Sequence, residues 1–159
     1  VEADNPQLTV REVNGVSPIR VILDSNRKLS LNINVFNNDQ SDTIVFCSNK
    51  RFSDSETSFC KYYAVGEKGG ALDIKEILFK LGSLGITSVL VEGGERMLKS
   101  FDELNYIDRF YLYTSKEKLE NGLLKNPILI DSSWHEDQID FLGSDKLNVF
   151  SKETECLQV

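Results

Sequence analysis

The sequence predicts an α/β domain of three layers, with a mostly parallel central sheet and an antiparallel hairpin near the carboxyl terminus. Apolar runs rich in β-branched residues alternate with amphipathic helical segments through the first two thirds of the chain. The stretch from Tyr62 to Val91 has the pattern strand–helix–strand, which joins parallel strands by a right-handed crossover. Two alternating segments flank Gly143-Ser144-Asp145, as in an antiparallel hairpin.

The first three strands are predicted from short apolar runs. Residues 18–25 begin with a proline, contain β-branched residues and end at a polar Asp-Ser-Asn exit. Residues 43–47 and residues 61–65 are apolar runs of similar length. The asparagine-rich residues 26–40 are predicted to form a loop between the first two strands.

A helix is predicted after Gly69-Gly70. Its apolar face repeats at helical spacing, in Ile74, Ile77, Leu78 and Leu81. Asp73 and Glu76 stand where a capping pair belongs, and Gly85 can end the helix. This segment is predicted to be the crossover helix that covers one side of the sheet.

Residues 88–98 carry the most information about function. Residues 88–91 are predicted to be a strand buried on both faces, followed by Glu92, Gly93-Gly94 and the start of a helix. Glycines let a ligand approach the backbone, and the N–H groups of a helix N-terminus attract phosphate or pyrophosphate. The spacing matches neither the dinucleotide-binding fingerprint nor a Walker loop. A tight strand-to-helix turn without a ligand is therefore an open alternative.

The remaining part of the chain is predicted to add one helix and several strands. The helix presents one apolar face, formed by Met97, Leu98, Phe101 and Leu104. Strands are predicted at residues 108–113, 127–130, 139–142 and 147–150, the last two forming the terminal hairpin.

Length and composition indicate one globular domain over residues 1–159. The hydrophobic fraction of 40% and the charged fraction of 27% are typical of a folded protein. The net charge of −7 and the absence of a Lys/Arg cluster along the sequence argue against nucleic acid or an anionic membrane as partner. A local positive pocket stays compatible with this charge.

The cysteine and histidine residues argue against a zinc site and against a thiol–imidazole nucleophile. Cys47, Cys60 and Cys156 lie far apart without a C-x-x-C pair, and the single histidine, His135, is expected at the surface. Free thiols, no apolar run of membrane-spanning length and no signal peptide together predict a soluble cytoplasmic domain.

Three segments occur in the order found in a known family, namely Asp4-Asn5-Pro6-Gln7-Leu8-Thr9-Val10-Arg11, Pro18-Ile19-Arg20-Val21-Ile22-Leu23-Asp24-Ser25 and Ser88-Val89-Leu90-Val91-Glu92-Gly93-Gly94. With these motifs the chain resembles the C-terminal reductase domain of the bifunctional riboflavin-biosynthesis protein RibD, which has a dihydrofolate-reductase-like fold. The likeness continues through Asp108-Arg109-Phe110-Tyr111 and so covers most of the chain. The resemblance implies that the first strands of the reductase domain and the whole deaminase domain would precede Val1. We therefore expect a truncated reductase domain with weak or no turnover alone.

The resemblance also implies an activity, the NADPH-dependent reduction of the ribosyl group of 5-amino-6-(5-phosphoribosylamino)uracil to the ribityl form. It assigns contacts with this phosphorylated pyrimidine substrate to Leu8, Arg11 and Glu92, with Glu92 as the catalytic candidate. It assigns contacts with the cofactor to Asp4, Ser25, Gly93, Gly94, Glu95, Arg96 and Met97. It implies no metal, and family habit suggests a homodimer.

Each assigned residue also has a simpler interpretation. Arg11 offers a donor fork for a 5′-phosphate, and the alternative is a surface arginine after a turn. Glu92 is expected to be partly buried at a ligand site, and the alternative is a carboxylate that complements the helix dipole. Asp4 and Ser25 are nucleotide contacts or turn formers. For the whole chain, the alternatives are a pterin or folate reductase of the same fold and a non-catalytic fragment.

Overall fold

The computed structural model describes residues 4–37, 41–53, 60–117 and 126–152 of the chain. The chain divides into two compact units, Val1–Ser88 and Val89–Val159. The prediction of a single domain over residues 1–159 stays a prediction. None of the helices in the described ranges is long and apolar enough to cross a membrane.

A parallel sheet forms the centre of the first unit. Its strands are β1 (Arg20–Leu23), β2 (Thr43–Ser48) and β3 (Cys60–Val65), in the order β1-β2-β3. All six residues of β2 are buried, because this strand lies between two neighbours and is covered on both faces. The three strands predicted from the apolar runs are confirmed, each with ends shifted by one or two residues.

A short helical turn packs on one face of this sheet. The predicted loop between β1 and β2 contains a 3₁₀ helix, Asn34–Phe36, that the sequence did not reveal. Its buried Val35 and Phe36 pack with Ile22, Val45 and Cys60 of the strands. The hydroxyl of Thr43 donates to the carbonyl of Val35 at 2.7 Å, which anchors the turn to β2.

The helix α1 (Ile74–Ser83) follows a small hairpin of β4 (Glu67–Lys68) and β5 (Ala71–Leu72). Its Lys80 ammonium lies 4.6 Å from the ring centre of Tyr63, so α1 covers the other face of the sheet. Among the residues of its predicted apolar face, the buried ones are Ile74, Ile77 and Leu81.

The two ends of α1 use the residues that the sequence predicted. The Asp73 carboxylate accepts from the N–H groups of Lys75 at 2.9 Å and Glu76 at 3.4 Å. Glu76 does not complete a reciprocal capping box, because its carboxylate instead accepts from the N–H of Gly66 at 2.7 Å. Gly85 has φ +82° and the N–H of Ile86 donates to the carbonyl of Leu81, as in a glycine-terminated helix.

The predicted strand at residues 88–91 was wrong for the described structure. This segment pairs with none of the described strands, and Val89 and Leu90 are 41% and 73% exposed. A buried central strand requires neighbours that satisfy its backbone groups, and this segment lies where the two units meet along the chain. The strand–helix–strand crossover predicted between Tyr62 and Val91 is therefore not observed.

The second unit combines one helix with an antiparallel sheet. The helix is α2 (Glu95–Glu103), and the strands are β6 (Arg109–Thr114), β7 (Trp134–Leu142) and β8 (Asp145–Lys152). The strand order is β6-β8-β7, with every pair antiparallel. The predicted hairpin is confirmed, and Gly143 makes its turn with φ +66°. The sheet composition differs from the mostly parallel sheet expected, because the described strands divide among one parallel sheet and two antiparallel sheets, β4-β5 and β6-β8-β7.

The core of the second unit is formed by Ile128, Trp134 and Phe150. Residues 127–130 do not form the predicted strand, since their backbone joins none of the described sheets. The apolar character of this segment is instead explained by Ile128, whose side chain is part of this core. The α2 face is buried at Phe101, whereas Leu104 is 39% exposed.

The structure also locates the cysteines and the histidine. Cys47 and Cys60 are buried free thiols, and Cys156 lies outside the described residues. His135 is exposed on β7, as expected.

Candidate functional site

The carboxyl ends of the three parallel strands meet at one edge of the first unit. The N–H of Ser48 donates to the carbonyl of Ser25 at 3.1 Å, which joins the exits of β1 and β2. The N–H of Asn49 donates to the carbonyl of Val65 at 3.1 Å, which joins the exits of β2 and β3. Ligands of open α/β sheets bind outside the carboxyl ends of the strands, so this edge is the candidate site of the first unit.

The loop after β1 is held in a defined conformation by Asp24. The two oxygens of its carboxylate accept from the N–H groups of Lys28 at 3.0 Å and Leu29 at 2.9 Å. Ser25, the predicted nucleotide contact, follows Asp24 and is half-buried. Asp24 therefore has a structural role that fixes the loop on which Ser25 lies.

Arg27 links the same loop to β3 and to the segment that follows β2. Its guanidinium lies 4.2 Å from the ring centre of Tyr62 on β3, and its Nη1 donates to the carbonyl of Ser53 at 2.9 Å. Burial raises the pKa of the Tyr62 phenol and of the neighbouring Cys60 thiol. Both groups therefore stay neutral at pH 7, and the guanidinium is the charged group of this cluster.

The described residues of the loops at this edge carry an excess of positive charge that the sequence scatters over more than forty positions. In residues 24–30, 48–53 and 66–70 the cationic residues are Arg27, Lys28, Lys50, Arg51 and Lys68. The carboxylates of the same described loops are Asp24 and Glu67. Asp24 accepts backbone bonds, and Glu67 pairs with Lys50 at 3.1 Å. An acidic chain thus has a locally cationic rim, defined here as these five cationic residues, which suits an anionic ligand.

The N-terminal motif packs against the core of the first unit. Leu8 packs against the cluster around Ile22 and Val35 and is partly buried. Asp4 and Arg11 are exposed on either side of it. The structure therefore holds one predicted substrate contact against the sheet and leaves the guanidinium of Arg11 open to solvent.

The glycine pair of the second unit has two different roles. Gly94 is the N-cap of α2, and its carbonyl accepts from the N–H of Met97 at 2.9 Å. A Cβ on Gly93 would lie 2.5 Å from the Cβ of Met97, whereas a Cβ on Gly94 would meet no atom within 4 Å. The chain itself requires glycine at 93, while the space beside Gly94 is free for a ligand.

The other predicted residues of this segment lie at the surface. Glu92, Glu95 and Arg96 are exposed, and Met97 is half-buried against Gly93. The expected partial burial of Glu92 is wrong, because the strand that was to bury it is not formed.

The predicted site residues divide between the two units. Asp4, Leu8, Arg11 and Ser25 belong to the first unit, and residues 92–97 belong to the second. Within the first unit, Ser25 lies at the carboxyl edge with the cationic rim, and Leu8 lies on the face covered by the 3₁₀ helix. The cationic rim was missed because its residues lie in three loops that only the sheet order brings together.

Comparisons with known proteins identify relatives of the chain. The family model described as the RibD C-terminal domain matches residues 1–115. The riboflavin biosynthesis protein RibD of Aquifex aeolicus is 32% identical over 121 residues, which are 76% of this chain and 33% of that protein. An Aquifex aeolicus protein named 2,5-diamino-6-ribosylamino-4(3H)-pyrimidinone 5′-phosphate reductase is 30% identical over 116 residues, 70% of this chain and 51% of that protein. The chain spans about a third to a half of the length of these relatives.

Solved structures share the fold. The Thermotoga maritima diaminohydroxyphosphoribosylaminopyrimidine deaminase/5-amino-6-(5-phosphoribosylamino)uracil reductase has a TM-score of 0.74 at 29% identity and covers 94% of this chain and 42% of its own. The riboflavin biosynthesis reductase of Saccharomyces cerevisiae has a TM-score of 0.74 at 18% identity, with 95% of this chain and 71% of its own covered. At that identity the second likeness shows the fold alone.

Proposed function

Because the chain belongs to the RibD C-terminal domain family, we propose that it is a reductase of riboflavin biosynthesis that uses NADPH. Its substrate is 5-amino-6-(5-phosphoribosylamino)uracil, and its product is the ribitylamino compound. The observation that carries the proposal is the cationic rim beside Ser25 at the carboxyl edge of the parallel sheet.

The cationic rim supports NADPH as the cofactor in preference to NADH. NADPH differs from NADH by a 2′-phosphate, and proteins that select it supply arginine or a similar cation near the ribose. Lys28, Lys50 and Arg51 lie on loops beside Ser25, and a phosphate there accepts charge-assisted hydrogen bonds. We assign Ser25 to the ribose or its phosphate and Asp4 to the boundary of the cofactor.

In the second unit, the start of α2 supplies the features that suit a pyrophosphate. Glu95 and Arg96 follow the N-cap Gly94, and the N–H groups of a first helical turn have no partner within the helix. The space beside Gly94 lets an anion approach these N–H groups. We assign Gly93, Gly94, Glu95, Arg96 and Met97 to the cofactor on this basis.

For the substrate, the residue types suggest specific tasks. Arg11 binds the 5′-phosphate through its donor fork, and Leu8 packs against the substrate. Glu92 is the catalytic candidate and orients a ring or sugar hydroxyl. Bound NADPH supplies a hydride to C1 of the sugar, and the reduction also consumes one proton, which water provides. The protein mainly positions the reactants and excludes competing water.

Several finer properties belong to the same proposal. The fold is that of a three-layer dihydrofolate-reductase-like domain, and residues 1–159 belong to this one domain. The protein works as a cytoplasmic homodimer, with a deaminase domain upstream in the intact protein. The deaminase/reductase of Thermotoga maritima, whose reductase part this chain resembles, supports the upstream deaminase domain.

A second candidate substrate keeps the 2-amino group of the pyrimidine. One relative is named as the reductase of 2,5-diamino-6-ribosylamino-4(3H)-pyrimidinone 5′-phosphate. Both compounds carry the ribosylamino 5′-phosphate to which Arg11 is assigned. This assignment therefore supports a sugar-phosphate substrate and does not distinguish between the two pyrimidine rings.

Calorimetric titration of this chain with NADPH and with NADH is the first test. Saturable binding that prefers NADPH supports the proposal, and absence of binding by the folded chain contradicts it. Loss of NADPH absorbance is then followed with each pyrimidine and with dihydrofolate. Turnover of dihydrofolate alone would favour a folate-type reductase, and a stable fold without NADPH affinity would favour a non-catalytic fragment.

A further inference from the structure

Asn34, in the 3₁₀ helix between β1 and β2, donates two hydrogen bonds to Asn5 of the N-terminal motif. The backbone N–H of Asn34 donates to Oδ1 of Asn5 at 2.8 Å. The side-chain Nδ2 of Asn34 donates to the backbone carbonyl of Asn5 at 2.9 Å. Because one bond is accepted by the side chain of Asn5 and the other by its backbone, the pair fixes both the position and the orientation of Asn5 relative to the 3₁₀ helix.

Two further contacts hold the residues that follow Asn5. Nη1 of Arg20, a residue only 2% exposed, donates to the carbonyl of Gln7 at 3.4 Å. Leu8 packs against the buried cluster that contains Val35. Residues 5–8 are thus held by the two bonds from Asn34 of the 3₁₀ helix, by the buried guanidinium of Arg20 and by the apolar contact of Leu8.

The backbone of this segment needs such support. Asn5 has φ +40° and Leu8 has φ +52°, in the left-handed region that residues with a Cβ rarely adopt. For leucine, which lacks the local hydrogen bonds of an Asx side chain, this conformation persists only where surrounding contacts enforce it. Strained residues of this kind concentrate at ligand sites.

We propose that Asn34 is a positioning residue, which acts through Asn5 to place Leu8 and Arg11 for the phosphorylated pyrimidine. This inference rests on the proposed function, because Leu8 and Arg11 are its substrate contacts. The 3₁₀ helix does not depend on the Asn34 side chain, since Val35 and Phe36 are buried and Thr43 bonds the Val35 carbonyl. Loss of the side chain therefore removes the Nδ2 bond to the Asn5 carbonyl and loosens the segment at residues 5–8, while the helix stays in place.

The test compares Asn34→Ala with Asn37→Ala. Asn37 is a matched control, because it ends the same 3₁₀ helix and its Nδ2 donates within its own loop to the carbonyls of Leu31 at 2.6 Å and Ile33 at 3.2 Å. We expect Asn34→Ala to raise KM for the pyrimidine phosphate about tenfold, the effect of losing about one hydrogen bond, because the backbone N–H of residue 34 is kept. Its NADPH dissociation constant should stay within about twofold of the wild-type value. Asn37→Ala should change neither constant.

Hydrogen exchange supplies a readout that does not depend on turnover. Amides of residues 5–10 should exchange faster in Asn34→Ala than in the wild-type protein, and at the wild-type rate in Asn37→Ala. An unchanged KM in Asn34→Ala, or an equal loss of NADPH affinity, would overturn the positioning role. The kinetic constants are measured on the complete enzyme, because this chain alone is expected to turn over weakly or not at all. A complete enzyme without turnover contradicts the proposed function, whereas wild-type exchange rates at residues 5–10 of Asn34→Ala overturn the positioning role.

Discussion

The guanidinium of Arg27 lies 4.2 Å from the ring centre of Tyr62, and the two residues join the loop after β1 to the middle of β3. Arg27 does this with φ +52°, a left-handed conformation that costs a residue with a Cβ about 1–2 kcal/mol. The cation–π contact returns about 0.5–2 kcal/mol. The side-chain contacts of Arg27 thus hold in place the loop that also carries Ser25 and Lys28.

The ionisation of Tyr62 should make the protein less stable at alkaline pH. Burial raises the pKa of Tyr62 above its ordinary value of 10.0 and that of Cys60 above 9.0. A group whose pKa is raised by folding stabilises the protein fully below its unfolded pKa, and this contribution is lost as pH rises through the folded pKa. We expect the free energy of unfolding to fall above about pH 9, and less steeply in Tyr62→Phe.

Urea unfolding across the alkaline range measures this effect. Tyr113→Phe is the control, because Tyr113 is 61% exposed on β6. Its loss should leave the fall of the unfolding free energy with pH unchanged. If the unfolding free energy of Tyr62→Phe falls with pH as steeply as that of the wild-type protein, burial does not hold this phenol neutral.

The cationic rim should select NADPH. In Lys28→Ala/Arg51→Ala, we expect NADPH to bind about tenfold more weakly, because charge-assisted hydrogen bonds to the 2′-phosphate are lost. NADH affinity should change by less than about twofold. Calorimetry with both nucleotides provides the ratio of the NADPH and NADH dissociation constants. Lys99→Ala is the control, because Lys99 is an exposed cation on α2. An equal loss of affinity for NADPH and NADH would show that the cationic rim does not recognise the 2′-phosphate.

The two adjacent glycines should respond differently to substitution. Gly93→Ala places a Cβ 2.5 Å from the Cβ of Met97, so we expect it to lower the free energy of unfolding by about 1–3 kcal/mol. Gly94→Val meets no atom near the Cβ position and should leave the fold largely intact while weakening NADPH binding. Urea unfolding and calorimetry separate the two effects. Unchanged NADPH affinity in Gly94→Val would exclude Gly94 from the pyrophosphate site.

Glu92 should matter for turnover more than for the cofactor. Glu92→Gln removes the charge and keeps the shape, and we expect kcat of the complete enzyme to fall about a hundredfold. Its NADPH affinity should stay close to wild type, because the residue is assigned to the substrate. Steady-state kinetics and calorimetry on one preparation test this. A comparable loss of cofactor affinity would assign Glu92 to NADPH instead.

Lys152 should contribute to the stability of the second unit. Its ammonium lies 3.2 Å from Oδ1 of Asp102 and 4.4 Å from the ring centre of Trp134, with only 12% of the side chain exposed. Lys152→Met should lower the free energy of unfolding by about 1–3 kcal/mol. Lys99→Met is matched to it, since Lys99 is 63% exposed and 3.9 Å from Glu103, and should cost less than about 0.5 kcal/mol. Equal effects of the two substitutions would contradict a special role of the shielded site.

Local patterns in the sequence were sufficient to predict elements that depend on neighbouring residues. The three parallel strands follow from apolar runs. The helix α1 starts after its N-cap Asp73 and stops before Gly85, because capping and a positive φ are local requirements. The same local pattern predicted a strand at residues 88–91, which is not formed. An apolar run shows that a segment can form a strand, but the hydrogen-bonding partner lies elsewhere in the chain.

The sequence by itself determined the family motifs, the parallel strands, the first helix and the terminal hairpin, because each rests on contacts or spacings within a short stretch. Only the tertiary structure decided which loops meet. It gathered the cationic rim at the carboxyl edge and paired Asn5 with Asn34 across 29 positions. It also showed that Gly93, and not Gly94, is required by packing. These relationships depend on strand order and side-chain contacts between distant residues, which spacing along a sequence does not contain.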